Sequence, residues 1–232
     1  MELLHSSWLE IENYLKFSNG IIIPTGSIEQ HGPIGLIGTD TLCANDIATE
    51  AAKKINALVA PALAYAPAEF NMAFAGTASI SISVYRDFCI DVFRSFERHG
   101  FEHIYIINGH GANLDPLRDA ADTLKNASVR IKSWWDFSRV AELRSQFYGS
   151  WEGMHATPSE VAITQTKHRT LKADLAKEPP DKLTPEFIKS HAGDKHGTSK
   201  EHKSQFPDGR VGSHSALARP AHGRQLKQAA VK

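Results

Sequence analysis

Three short segments gather the side chains able to do chemistry. The first is Gly26-Ser-Ile-Glu29-Gln-His31-Gly-Pro, followed after a glycine-containing stretch by Gly38-Thr-Asp40. Glu29 and His31 are two residues apart, so in extended backbone both side chains leave the same face, and Asp40 can return to meet them. One carboxylate, one imidazole and a second carboxylate suit zinc, manganese or iron(II). Alone the signal is weak, because a Glu-x-His pair in a polar loop is more often solvent-exposed.

The second segment, Asn108-Gly-His110-Gly-Ala-Asn113, follows the apolar run His103-Ile-Tyr-Ile-Ile directly. Open α/β sheets bind ligands at such strand ends, and glycines there permit a sharp turn and close approach. A phosphate cradle is the competing reading, but no Lys-Ser/Thr pair follows and the central imidazole fits a metal better. The third is Gly153-Met-His155-Ala-Thr-Pro-Ser-Glu160. Thr157 and Pro158 read as the N-cap and first position of a helix, so Glu160 falls in its first turn. There it either completes a Thr-x-x-Glu capping box or serves the site, two uses that compete. His155, judged alone, reads as a surface histidine.

The surrounding pattern is strand, loop, helix. A short amphipathic helix is expected over residues 7–16, a buried strand over 20–24, a Gly- and Pro-rich loop to Asp40, and a helix over 41–55. Strands follow at 57–62 and 79–83, then a helix over 84–98, a strand over 103–108, a helix over 114–125, a strand over 129–133 and a helical stretch over 158–167. This alternation predicts an α/β single domain with a mostly parallel β-sheet flanked by helices on both faces, its function at the carboxyl ends of the strands. From about residue 168 the composition turns polar, and a structureless connection of that length reads as a lid or subunit contact, not a second domain.

Composition narrows the partners. The chain has 232 residues, 41% hydrophobic and 22% charged, with 26 basic and 26 acidic side chains. That balance gives no field for nucleic acid or an acidic membrane, so a small-molecule substrate is expected. No run approaches the roughly 18 apolar residues of a membrane span, and the N-terminus does not read as a secretory signal, which predicts a cytoplasmic protein. Cys43 and Cys89 lie outside any C-x-x-C pattern and read as buried core thiols. Twelve histidines, a high count, direct the search to metal binding.

The segments GSIEQHG…GTD, NGHGAN and HATPSE, in that order on an α/β chain, resemble the creatininase family of amidohydrolases, and FPDGRVGSHSALA further on is similar to the end of family members. The resemblance implies a creatininase-like three-layer sandwich, a homo-oligomer (a hexamer), and a centre of two divalent metal ions, Zn, Mn or Fe. It implies Glu29, His31, Asp40, His110 and Glu160 as metal ligands, with Asp40 bridging, Glu29 and His110 on one ion, and His31 and Glu160 on the other. Glu160 and His155 are the expected catalytic residues, His155 carrying a proton to the leaving nitrogen. The implied reaction is hydrolysis of a C–N bond in a small amide, cyclic amide or formamide. The family's range also admits a ring of ketone or lactone type, and a binding protein that kept the metals without turnover is the rival from another class.

One position departs from creatininase, which has a glutamate two residues after the histidine of Asn-Gly-His, where this chain has Ala112. Creatinine is therefore not the expected substrate. Trp134 and Trp135 either wall the pocket or pack in the core. A serine nucleophile at Ser27 or Ser159 is disfavoured, since neither sits in a Gly-x-Ser-x-Gly elbow.

Overall fold

The structure, a computed structural model, describes residues 1–232. The apolar runs become four strands, β1 (Gly20–Thr25), β2 (Leu58–Val59), β3 (His103–Asn108) and β4 (Ser128–Ser133), all parallel in the order β2-β1-β3-β4. The principal helices are α1 (Trp8–Leu15), α2 (Thr39–Ile55), α3 (Ile82–Arg98), α4 (Leu114–Ala121), α5 (Ser138–Tyr148), α6 (Pro158–Thr164), α7 (Pro185–Ser190), α8 (Ser199–Gln205) and α9 (Pro220–Ala230).

Alternation along the strands feeds two cores. Ile21, Ile23, Ile104 and Ile106 pack with Tyr85, Cys89 and Phe93 of α3 and Leu117 of α4, while Ile22 and Ile107 pack with Ile47 of α2, Ile163 of α6 and Leu226 of α9. Helices thus cover both faces, making three layers, as expected of parallel strands that must be buried on each side. Both cysteines are free and fully buried in these cores.

Several elements differ from the sequence expectation. The helix expected from residue 41 begins at Thr39, which moves Asp40 out of the loop and into the first helical turn. The strand expected at 57–62 shortens to two residues, since Pro61 has no amide for the ladder. No strand forms at 79–83: Ala78 and Ser79 make single bridges only, and the Ser81 hydroxyl instead accepts from Val84 N as the N-cap of α3. The helices expected to Lys125 and Lys167 stop at Ala121 and Thr164, and α5 was not anticipated.

The polar stretch from 168 is not structureless. It carries α7, α8 and α9, and α9 packs on α5 and on α6, the helix that bears Glu160. Leu226 of α9 and Val231 just after it join the core, with Ala229 and Ala230 packed at its edge, too few large apolar positions to show a helical period in a Lys- and Gln-rich sequence. Leu226 is fully buried, so Leu226→Ala is expected to destabilise the fold by about 2–5 kcal/mol, read from the midpoint of urea unfolding at unchanged slope.

Candidate metal centre

The carboxyl ends of three strands are tied side to side before the site begins. Thr25 Oγ1 donates to Asn108 Oδ1 at 2.9 Å, and Asn108 Nδ2 donates to Ser133 Oγ at 3.2 Å and to the His110 carbonyl at 2.7 Å. On this rim β1 leads into the Glu29–His31 segment and β3 into His110. Asp40 enters from α2, whose unpaired first-turn amides favour a carboxylate. A Cβ at Gly109 would lie 2.3 Å from the Asp40 carbonyl oxygen. Only glycine lets the end of β3 turn so close to α2, and that approach sets His110 beside Asp40.

The structure brings together all five expected ligands and His155, none more than 7% exposed. Asp40 faces two ways: Oδ1 is 2.8 Å from His31 Nε2, and Oδ2 is 3.1 Å from His110 Nδ1. Glu29 Oε1 is 3.2 Å from His110 Nδ1 and 3.6 Å from His155 Nδ1. Two donor triads result, Glu29–Asp40–His110 and His31–Asp40–Glu160, with the donor atoms of each within 4.8 Å of one another. Glu29, His31 and His155 form a third such group.

Glu160 does both things that had looked mutually exclusive. Thr157 N and Thr157 Oγ1 each donate to Glu160 Oε2 at 2.8 Å, completing the capping box, which leaves Oε1 uncommitted to the cap. His155 is buried, contrary to the surface reading, with its ring centroid 4.5 Å from that of His31.

All three imidazoles are pinned alike. His31 Nδ1 meets the Glu29 carbonyl at 3.2 Å, His110 Nε2 the Pro67 carbonyl at 2.7 Å, and His155 Nε2 the Gln30 carbonyl at 2.7 Å. A carbonyl only accepts, so these nitrogens donate, and each neutral ring turns a lone pair toward the carboxylates. Glu29 Oε1 and His31 Nε2 have no hydrogen-bond partner. Buried lone pairs facing carboxylates need positive charge between them, either a proton or a cation.

Protons can serve. Burial opposes charge on His31, but neighbouring Asp40 overrides it and lifts the pKa to about 10; burial likewise opposes His110, yet Glu29 and Asp40 hold it well above its usual value. Burial would raise Asp40, and His31 and His110 outweigh it and hold the carboxyl well below its usual range. His155 remains neutral, pushed far down by burial and by His31. Burial raises Glu160 to about 7. The imidazole–carboxylate donor set and its unpartnered atoms also fit divalent metal.

Around the donors, Ser27 Oγ donates to Asp40 Oδ2 at 2.8 Å and Asn71 Nδ2 to Glu29 Oε2 at 3.0 Å. Ser159 donates to Glu152, so both serines weighed as nucleophiles have their hydroxyls directed at carboxylates. A cavity of about 230 Å³ opens above the triads, walled by Trp134, Trp135, Arg144 and Met154 and by residues 188 and 192–194. Trp134 serves both suggested roles, being 1% exposed in the core and also part of this wall. Asn71 and Asp194, the latter with Oδ2 3.7 Å from His110 Nδ1, were missed in the sequence because neither lies in a motif or periodic element. The Phe206–His214 segment braces the His155 loop from beneath, Met154 N donating to the Val211 carbonyl and Val211 N to that of His155.

Comparison with known proteins now has a geometry to meet. The creatininase family profile, described as creatinine amidohydrolase, matches residues 4–232. The chain belongs to the creatininase family. Creatinine amidohydrolase of Pseudomonas putida is 27% identical over 178 residues, 68% of each chain. The mycofactocin precursor peptide peptidase of Mycobacterium ulcerans (strain Agy99) is 33% identical over 123 residues, 49% of this chain and 48% of its own, so the match spans about half that relative's length. A 3-dehydro-scyllo-inosose hydrolase of Thermotoga maritima is 32% identical over 103 residues, 44% of this chain and 33% of its own. A manganese creatininase superposes with a TM-score of 0.81 at 21% identity over 99% of this chain and 94% of that one, and a zinc–zinc mutant form with 0.79 at 21% over 99% and 93%. Those two share the fold of this creatininase-family chain.

The proton occupancy sets a pH dependence. The folded state holds a proton on His31 up to about 10, whereas an ordinary histidine releases it near 6.5, and Glu160 holds one to about 7 against an ordinary 4.5. Above about pH 7, where unfolded histidines are already neutral, the folded state binds more protons than the unfolded and stability falls as pH rises towards 10, whereas below about 6.5 the depressed His155, His196 and His202 act in the opposite sense. Chelated, metal-free protein should melt at progressively lower temperature from about pH 7 to pH 10. Divalent metal should reverse that trend, because deprotonated ligands bind it and binding releases protons. Calorimetric scans across pH, with and without added zinc or manganese, check both.

Proposed function

We propose that this protein is a two-metal hydrolase that cleaves a C–N bond of a small amide, cyclic amide or formamide. The carrying observation is Asp40, whose two oxygens enter two separate donor triads on the floor of a cavity. Glu29, Asp40 and His110 would hold one ion and His31, Asp40 and Glu160 the other. Two divalent ions, zinc, manganese or iron, would lower the pKa of water towards about 7 and polarise a carbonyl oxygen.

The chain's own residues supply the rest. Ser27 and Asn71 fix the carboxylate planes of Asp40 and Glu29 through the bonds given above. His155 keeps its ring by donating Nε2–H to Gln30, leaving Nδ1 to take a proton and return it to the leaving nitrogen. Glu160, with Oε2 held by the cap, presents Oε1 beside His31 and Asp40 as ligand and catalytic carboxylate. Trp134 and Trp135 exclude water from one side.

The cavity, about 230 Å³, falls below the roughly 300–1,000 Å³ of common ligand pockets, which supports a small substrate. A peptide, as named for the mycobacterial relative, would need residues 188–194 moved aside. Open access from the cavity to both triads supports catalysis over a closed structural metal site. The free, buried Cys43 and Cys89 support a cytoplasmic setting. The exposed Leu4, Trp8 and Leu9 support assembly as a homo-oligomer.

Asp40→Ala and His110→Ala are each expected to lose at least one bound metal and to reduce hydrolysis by orders of magnitude while remaining folded. Elemental analysis and a screen of cyclic amides, formamides and lactones measure this, and full activity with unchanged metal in either variant refutes the assignment. Creatinine should be turned over poorly, since Ala112 lacks the acid that creatininase carries. Two bound metals without turnover of any compound would return the reading to a metal-stabilised binding protein.

A further inference from the structure

We infer that Asp194 is an additional carboxylate of the metal centre, carried by the closing segment and not by the sheet, so that metal occupancy latches this segment over the cavity. The inference rests on the two-metal reading above.

The segment after α7 crosses the cavity, where Ala192, Gly193 and Asp194 form part of the wall. Asp194 turns its carboxylate inward: Oδ2 accepts from Ala112 N at 3.1 Å and stands 3.7 Å from His110 Nδ1. That ring nitrogen already has Glu29 Oε1 at 3.2 Å and Asp40 Oδ2 at 3.1 Å. Three carboxylates, two from the Glu29–Asp40 stretch and one from far along the chain, therefore converge on one nitrogen. The seat is shaped for the third, since a Cβ on Gly111 would lie 2.3 Å from Asp194 Oδ2.

The backbone also commits to this placement. Asp194 has a φ of +56°, a left-handed conformation that non-glycine residues seldom adopt, though Asp does so more readily than most. His196, two residues on, packs against Phe70 with centroids 4.7 Å apart, and Phe70 stacks on His110 at 6.4 Å. The side chain of Asp194 is only 13% exposed. An acid held so near two other acids, with little water to screen them, is stabilised either by taking up a proton or by positive charge among them. A divalent ion in the Glu29–Asp40–His110 triad supplies that attraction and draws the segment closed. At 3.7 Å Asp194 is the outermost of the three, a position from which a carboxylate typically changes metal affinity by 10–100-fold.

The test uses the full chain, stripped by chelation and titrated with zinc or manganese, with metal stoichiometry and affinity read by equilibrium dialysis and cleavage within residues 185–198 read by limited proteolysis. Wild-type protein is expected to bind two ions and to become protected in this segment as they bind. Asp194→Asn, which keeps the shape and removes the charge, and Asp194→Ala should fold normally by circular dichroism. Both should bind one ion at least about tenfold more weakly and remain cleavable in the segment at saturating metal. Gly111→Ala, which denies the carboxylate its seat while leaving Asp194 in place, should behave the same way. Affinities for both ions within twofold of wild type in Asp194→Asn and Asp194→Ala, or undiminished protection, overturn the inference and leave the two-metal reading standing. A wild-type chain that binds no ion overturns both.

Discussion

One carboxylate shared between two sets of donors is the constraint on which the rest depends. Asp40 sends Oδ1 to His31 and Oδ2 to His110, within a space that also holds Glu29 and Glu160 almost without water. Negative groups so placed repel one another, and protons held on His31 and His110 offset only part of that charge while neutral His155 adds a lone pair to the same volume. The fold must therefore hold the arrangement rigidly whether protons or a cation supply the balancing charge. It does so with its stiffest parts: β1 and β3 in the middle of the sheet, their ends joined through Thr25 and Asn108, and the start of α2 pressed onto Gly109.

The capping box of α6 shows how structural and chemical demands share one side chain. Thr157 occupies Glu160 Oε2 with two hydrogen bonds, which fixes the carboxylate plane and aims Oε1 without any residue added for the purpose. Helix α9 supports this from behind by packing on α6. A substitution in α9 can accordingly disturb the centre through the placement of Glu160, although α9 contributes nothing to the cavity wall.

The floor of the site could be read in the sequence because its residues lie in short motifs beside glycines and an apolar strand. Glu29, His31, Asp40, His110 and Glu160 were all named, and the structure brings them together. Asp40's position inside a helix was not seen, as Gly38 offers no capping side chain to announce the start. The expected strand at 79–83 failed where Ser81 gave its hydroxyl to α3, a local choice that alternation of Ile80 and Ile82 with polar residues disguised. Asn71 and Asp194 were invisible because each reaches the centre from irregular chain, where spacing carries no information about direction. Helix α9 went unread because Leu226 is its one large apolar side chain in the core, which leaves almost no apolar period.

That division between readable floor and unreadable wall bears on specificity. The three relatives above are named for action on creatinine, a peptide and an inosose derivative. Discrimination among such compounds comes from the groups that meet the parts of the substrate away from the reacting bond. In this chain the cavity is walled by Trp134, Trp135, Arg144 and Met154 together with Ala192, Gly193 and Asp194. The position at which creatininase carries an acid is Ala112, and its amide here receives the Asp194 carboxylate from across the cavity. In this chain an acid therefore stands beside that turn from another support, the segment that crosses the mouth. An acid carried on the wall takes up part of the cavity, so the space above the five buried side chains is shaped by the segment at 192–194 as well as by the sheet.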